Sequence, residues 1–254
     1  MIGIVQKIYR FPVKGLSEDS LQTVKLCPGE AIHDDRRFAL LASNHGNSGE
    51  KLDWKPKTSF LALVRHQKLA ALETQYDDKS TRLTIRRRGI KIAEGKLANN
   101  IGRAILEEFF AAYLGSDHPG KLVIVEASTN TQTLSDQSSP LISIINQASI
   151  KDLERVARCT INPLRFRPTF LVDLKIPWAE MKLTNQELSI GETILVTEDP
   201  IDRCAAINVN PQTSERDLNL INVLKANFGH IDFGVFARVK KGGSINVGST
   251  ISLN

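Results

Sequence analysis

A mainly β protein with a few helices, laid out in two halves, is predicted for this chain of 254 residues. Three observations predict it. Short runs of alternating or β-branched residues recur between turn signals such as Pro28-Gly29, Asn44-His45-Gly46 and Asp77-Asp78. Helical periodicity is confined to three stretches. A turn-rich segment over 116–120 separates residues 1–116 from residues 117–254, and the chain is long enough for each half to bury a core.

In the first half, residues 1–9, 21–26, 36–42, 60–66, 69–76, 81–87 and 90–93 read as strands of a small antiparallel barrel or sandwich. The period changes over 100–115. There Ile101, Ile105, Phe109 and Ala112 share one helical face, with Asn100 as candidate N-cap and Gly115 as the stop. The second half opens with the strand KLVIVEA. A polar loop, STNTQTLSDQSSP, and the apolar run LISII follow, and such a loop lies at the surface or faces a polar ligand. A short helix is expected from Ser149, which caps it, with Ile150, Leu153, Val156 and Ala157 on its apolar face. In RFRPTFLVDL, alternation sets Arg165 and Arg167 on one side, a pair suited to an anion, and Pro168 makes the start irregular. The strand ETILVTEDP then runs into a turn at Asp199 and Pro200. A third helix is capped by Thr213 or Ser214, carries Leu220, Leu224 and Phe228 on one face, and stops at Gly229. The end reads as a hairpin around Lys241-Gly242-Gly243 and a terminal strand after Gly248.

The net charge of +5 admits an anionic partner without choosing one. Arg86, Arg87, Arg88 and Lys91 flank a tight turn without the interleaved aromatics of a base-stacking surface, so they read as a solvated hairpin and no nucleic acid is expected. No apolar run approaches the roughly 18 residues of a membrane span, and the N-terminus has no signal-peptide pattern. A soluble cytoplasmic protein with no membrane partner is expected. Cys27, Cys159 and Cys204 form no CxxC pair and no Cys/His cluster of zinc spacing.

The stretch EDPIDRCAAINVNP, residues 198–211, sets Cys204 beside Arg203 on a loop after a strand. A thiol acts as nucleophile or metal ligand only as the thiolate, which a neighbouring cation favours. The other local reading is a buried cysteine serving as a small hydrophobe. Asp202 and Asn208 bracket the thiol and suit orientation of the loop, Asp202 being the better acid. His33 and His230 read as solvated or locally hydrogen-bonded.

Six segments in order carry a family resemblance: YRFPVKG (9–15), DDRRFAL (34–40), LSDQSSPLISIINQASIKDL (134–153), RFRPTFLVD (165–173), LSIGETILVTEDPIDRCAAINVNP (188–211), and FG followed by GGSINVGS (228–249). The chain resembles the two-domain MOSC family, which includes amidoxime-reducing proteins and the C-terminal domain of molybdenum cofactor sulfurases. The resemblance implies a β-barrel-like N-terminal domain, 1–116, packed on a MOSC β-barrel domain, 117–254. It implies that Cys204 is the thiolate ligand of molybdenum, or carries sulfur destined for it, as soft sulfur donors suit such a centre. By the same likeness Lys14, Arg36, Arg167 and Arg203 grip the pterin's phosphate and rings. Arginine forks bind phosphate bidentately, whereas Lys14 acts as a point charge. Arg37 is equally suited to a surface ion pair. Ser138, Ser139 and Thr169 are hydroxyl donors to pterin or phosphate, and Asn208 is grouped with the cofactor-binding residues.

The sequence departs from the family pattern at Gly15, Thr169 and Ile207, where serine, asparagine and threonine are common, and at Asp53-Trp54-Lys55-Pro56 on the substrate side. The implied function is an oxidoreductase that binds the molybdenum cofactor and reduces small N-hydroxylated, or other N- or S-oxygenated, substrates. No ferredoxin-like extension is recognised, so an external redox protein is the expected electron donor. The alternative is a carrier that delivers cofactor or sulfur to a recipient enzyme without turnover of its own. Nothing resembles a pyridoxal-dependent desulfurase, and pyridoxal phosphate is not expected.

Overall fold

The structure, a computed structural model, describes residues 1–118, 120–129 and 132–254. The expected turn over 116–120 and polar loop over 128–140 thus lie partly outside the described residues. The first half holds strands β1 (Gly3–Arg10), β2 (Asp19–Leu21), β3 (Thr23–Leu26), β4 (Phe38–Ala42), β5 (Lys51–Leu52), β6 (Glu73–Asp77), β7 (Arg82–Arg87) and β8 (Ile90–Lys96), then helix α1 (Asn100–Leu114). The second holds β9 (Leu122–Ala127), β10 (Ile142–Asn146), α2 (Gln147–Ala157), β11 (Phe170–Asp173), β12 (Glu187–Ile190) and β13 (Thr193–Asp202). Helix α3 (Leu220–Phe228) and strands β14 (Asp232–Lys241), β15 (Gly243–Asn246) and β16 (Thr250–Leu253) complete it. The protein is mainly β, as the sequence predicts.

Seven strands close a barrel in the order β1, β11, β10, β14, β13, β12, β16 and back to β1, with β2 paired to the far end of β1. The first strand of the chain joins this barrel because Val5 and Ile8 enter its core beside Ile144, Phe170 and Val235. Gly3 permits the close approach, since a Cβ there would meet the Asp173 carbonyl oxygen at 2.4 Å. The exchange runs both ways. β9 follows the 116/117 cut, yet it is the middle strand of the sheet β4–β9–β5, while β6, β7 and β8 form a further sheet. Leu106 and Phe110 of α1 pack with Leu83, Ile85 and Ile124 in the core of the first half.

Several elements differ from the sequence reading. Helix α1 is capped by Asn99, whose side chain accepts from Gly102 N at 2.7 Å. It buries Gly102, Leu106 and Phe110 and leaves Ile101 and Ile105 exposed. The helix carries two apolar stripes, and the one inward is the one on which Gly102 lets the helix backbone reach Lys96 at the end of β8. Asn146, not Ser149, caps α2, and Asn219, not Thr213 or Ser214, caps α3. Only Phe60 of the run 60–66 pairs, with Leu41, and residues 67–71 form a 3-10 turn before β6. β13 continues through Pro200, where a break in register accommodates the missing N–H. β14 and β15 form no hairpin; β15 pairs instead with β3, burying Ile245 beside Val24 and Leu26. Among the described residues, no helix is long and apolar enough to cross a membrane.

Candidate functional site

Cys204 lies two residues past the end of β13 and opens a 3-10 turn over Ala205–Asn208. Its thiol is free and half-buried. The turn is fixed from beneath. Ile207 is buried with Leu220 and Leu224 of α3, and Asn208 Oδ1 accepts from Leu220 N at 2.8 Å. Arg165 Nη1 donates to the Asn208 carbonyl at 3.0 Å while Nη2 pairs with Asp217 at 2.6 Å. Arg165 stands on a 3-10 turn, Pro163–Phe166, not on an alternating strand, so it braces the thiol loop rather than forming an anion pair with Arg167. Phe166 stacks on Phe233 with centroids 4.1 Å apart and holds this corner of the barrel.

Cys204 faces a cleft between the two halves of the chain. Lys14, Arg36, Arg165, Arg167, Thr169, Asp202 and Arg203 line the same cleft, so with Cys204 eight of the candidate residues singled out by the sequence come together. Lys14 is buried and donates from Nζ to the Leu134 carbonyl at 2.8 Å and to Asp136 Oδ1 at 2.6 Å. Arg36 pairs with Asp35 at 2.6 Å, and Asp35 in turn accepts from Phe11 N at 2.8 Å. The Arg36 and Arg167 guanidinium carbons lie 4.5 and 4.0 Å from the centroid of the same Phe11 ring. Arg167 Nη1 donates to the Leu16 carbonyl at 2.8 Å, while its buried Nη2 has no hydrogen-bond partner among the described residues.

The cations are held in a costly environment. Burial lowers the Lys14 pKa, opposed by Asp136 and reinforced by Arg36 and Arg167. Burial, and then Arg36, lowers Arg167 to about 9, and burial lowers Arg203 to about 9 despite the proximity of Cys204 and Asp202. Arg167 and Arg203 remain cations at neutral pH. Burial raises the Asp136 pKa, but Lys14 outweighs it and holds the carboxyl below its ordinary value. Arg203 differs from Arg167 in being fully engaged: Nε donates to the Phe233 carbonyl at 2.8 Å, and Nη1 to that of Phe166 at 3.1 Å. It supplies a fixed field, whereas Arg167 keeps a free N–H. Phosphate and planar rings are what such forks recognise.

Four residues lie elsewhere. Arg37 turns away to Asp34 at 2.9 Å and Glu126 at 2.6 Å, the ion-pair alternative. Ser138 and Ser139 are exposed and do not line the cleft. Asn208 spends its side-chain oxygen on the start of α3. The sequence reading overlooked Asp35, Asp136, Lys57 and Ser135, all of which line the cleft. Asp136 carried a signal, as the one carboxylate within LSDQSSP, but its partner Lys14 is 122 residues away.

A family model described as "MOSC N-terminal beta barrel domain" matches residues 2–115, and one described as "MOSC domain" matches residues 132–252. Curated relatives include molybdenum cofactor sulfurases of Drosophila mojavensis, 28% identical over 109 residues, and Drosophila grimshawi, 28% identical over 113 residues. These alignments cover 42% and 43% of this chain and 14% of each relative, so the chain spans about one seventh of their length. Among solved structures, the YuaD protein of Bacillus subtilis is similar at 10% identity and a TM-score of 0.46 over 99% of this chain and 94% of that one. YiiM of Geobacillus stearothermophilus is similar at 14% identity and 0.35 over 44% and 53%.

Proposed function

Because the chain belongs to the MOSC family, with the N-terminal barrel domain ahead of the MOSC domain, we propose that it binds the molybdenum cofactor in the interdomain cleft and reduces small N-hydroxylated or otherwise N- or S-oxygenated compounds. An external redox protein provides the electrons. The two domains are taken as 1–116 and 117–254, working in the cytoplasm. The observation that carries this reading is the convergence of a free thiol with Lys14, Arg36, Arg167 and Arg203 on one cleft.

The donor set fits the group. The orphaned buried Nη2 of Arg167 is a donor waiting for an acceptor, and such a donor costs about 1–3 kcal/mol while unmet. Arg36 and Arg167 would hold the phosphate, with Lys14 adding charge once Asp136 yields it. Cys204, as thiolate, would be the protein's ligand to the metal. When bound, the cofactor would supply a redox-active metal for a two-electron, two-proton reduction of the substrate that releases water, with the electrons coming from the external redox protein. The chain's own part is to orient, through Arg165 and Asn208 on the thiol turn, and to present the Asp202 carboxylate on the cleft wall as the group for proton transfer.

The names of the curated relatives favour a second reading, a carrier of cofactor or of sulfur on Cys204. Molybdenum and pterin content of freshly purified protein, compared with Cys204→Ala, tests the shared premise. Loss of most of the metal is expected, and equal molybdenum in both proteins refutes the ligand assignment. Donor-dependent reduction of a hydroxylamine by the loaded protein then decides for the enzyme; transfer of cofactor without turnover decides for the carrier.

A further inference from the structure

Two arginines cross between the halves beside the thiol. Arg167 does so inside the cleft, through the Leu16 carbonyl. Arg216 does so on the outside. It is exposed, stands in the segment before α3, and is absent from the cleft lining. Its Nη1 donates to the carbonyl of Ala205, the residue after the thiol, at 3.0 Å. Its Nη2 donates to the Val64 carbonyl at 2.7 Å and its Nε to Gln67 Oε1 at 2.7 Å. Among the described residues Arg216 forms no ion pair. A planar fork satisfied by neutral acceptors works through geometry, which an ammonium on a flexible stem does not reproduce.

The turn over 205–208 is therefore anchored at two ends by different parts of the molecule. Arg165 and Asn208 fix its far end within the second half. Arg216 ties its near end, next to Cys204, to residues 64 and 67 of the first half. We propose that Arg216 is a positioning residue that straps the Cys204 turn onto the first half and sets how far the thiol is exposed. Separation of the halves at this edge would then release the thiol, which makes thiol access a property of the interface. The proposal rests on the reading of Cys204 as the reactive group for its meaning, but not for its test.

The test uses the full chain, purified from a host that makes no molybdenum cofactor, with iodoacetamide as probe and peptide mapping as readout. Cys27 and Cys159, also free and half-buried, serve as internal references. Arg216→Ala is expected to raise the alkylation rate of Cys204 about fivefold through easier local opening, with the rates at Cys27 and Cys159 unchanged. Arg216→Lys should resemble the alanine variant, and Gln67→Ala should fall between it and the parent. An unchanged Cys204 rate in Arg216→Ala overturns the proposal. A parallel rise at all three cysteines also overturns it, since that reports general loosening. Because no cofactor is present, a protein that never binds molybdenum would still give a clear result.

Discussion

Arg36 and Arg167 sit in left-handed backbone, at φ 47° and φ 48°, a region that costs a non-glycine residue about 1–2 kcal/mol. Both side chains come from such positions to the Phe11 ring and the cleft, so the strain is tied to where the cations must point. Replacing Arg167 by alanine or by glycine removes the same guanidinium, but only glycine relieves the backbone. Arg167→Gly should therefore be more stable than Arg167→Ala by about 1 kcal/mol in urea unfolding, and equal midpoints would show that the backbone is unstrained. The sequence made the residue types at this site legible, because thiol and guanidinium chemistry are properties of single side chains. It could not reveal that Arg165, though it lines the cleft, is paired with Asp217, because that depends on a 3-10 turn where alternation implied a strand.

At the scale of elements, α2 is held by a buried polar cluster that no local pattern announces. Glu180, fully buried, accepts at Oε2 from Asn146 Nδ2 at 2.9 Å and from Ser149 Oγ at 2.8 Å. Its Oε1 is buried with no partner among the described residues. Burial raises its pKa, so the folded chain holds the proton where the unfolded chain has lost it. Stability from this group is present below the ordinary glutamate value and falls as pH rises through the raised one. Glu180→Gln keeps an acceptor for Asn146 and Ser149 and removes the group whose pKa burial raises. It is expected to gain about 1 kcal/mol at pH 8 and little at pH 4; thermal melts at both pH values check this, and a loss at pH 8 would show that burial of this carboxyl does not penalise the fold. Ser149 read as a cap because a hydroxyl before an apolar stripe fits that role. Its true partner lies 31 residues on. The helices themselves were legible from their period, whereas the inward face of α1 was decided by glycine contacts with β8 that periodicity does not encode.

The whole molecule adds what neither residues nor elements contain. β1 closes the barrel of the second half and β9 completes a sheet of the first, pairings between distant segments that leave no local mark in sequence. Through that interleaving, residues from positions 14 to 204 share one cleft, and their charges interact. Lys14, Arg167 and Arg203 all have lowered pKa values, chiefly from burial. Each thus binds its proton less tightly folded than unfolded, and its contribution to stability rises with pH through the lowered value toward the unfolded one. An anion in the cleft reverses this penalty and stabilises the fold by binding the native state alone. At about ten times its Kd, inorganic phosphate should add about 1.4 kcal/mol, or about 2–4 °C in Tm for a chain of this size. Sodium chloride at matched ionic strength should add much less, and Arg167→Gln should lose most of the phosphate-specific rise. An equal rise in the parent and in Arg167→Gln would assign the effect to bulk salt and remove Arg167 from the anion site.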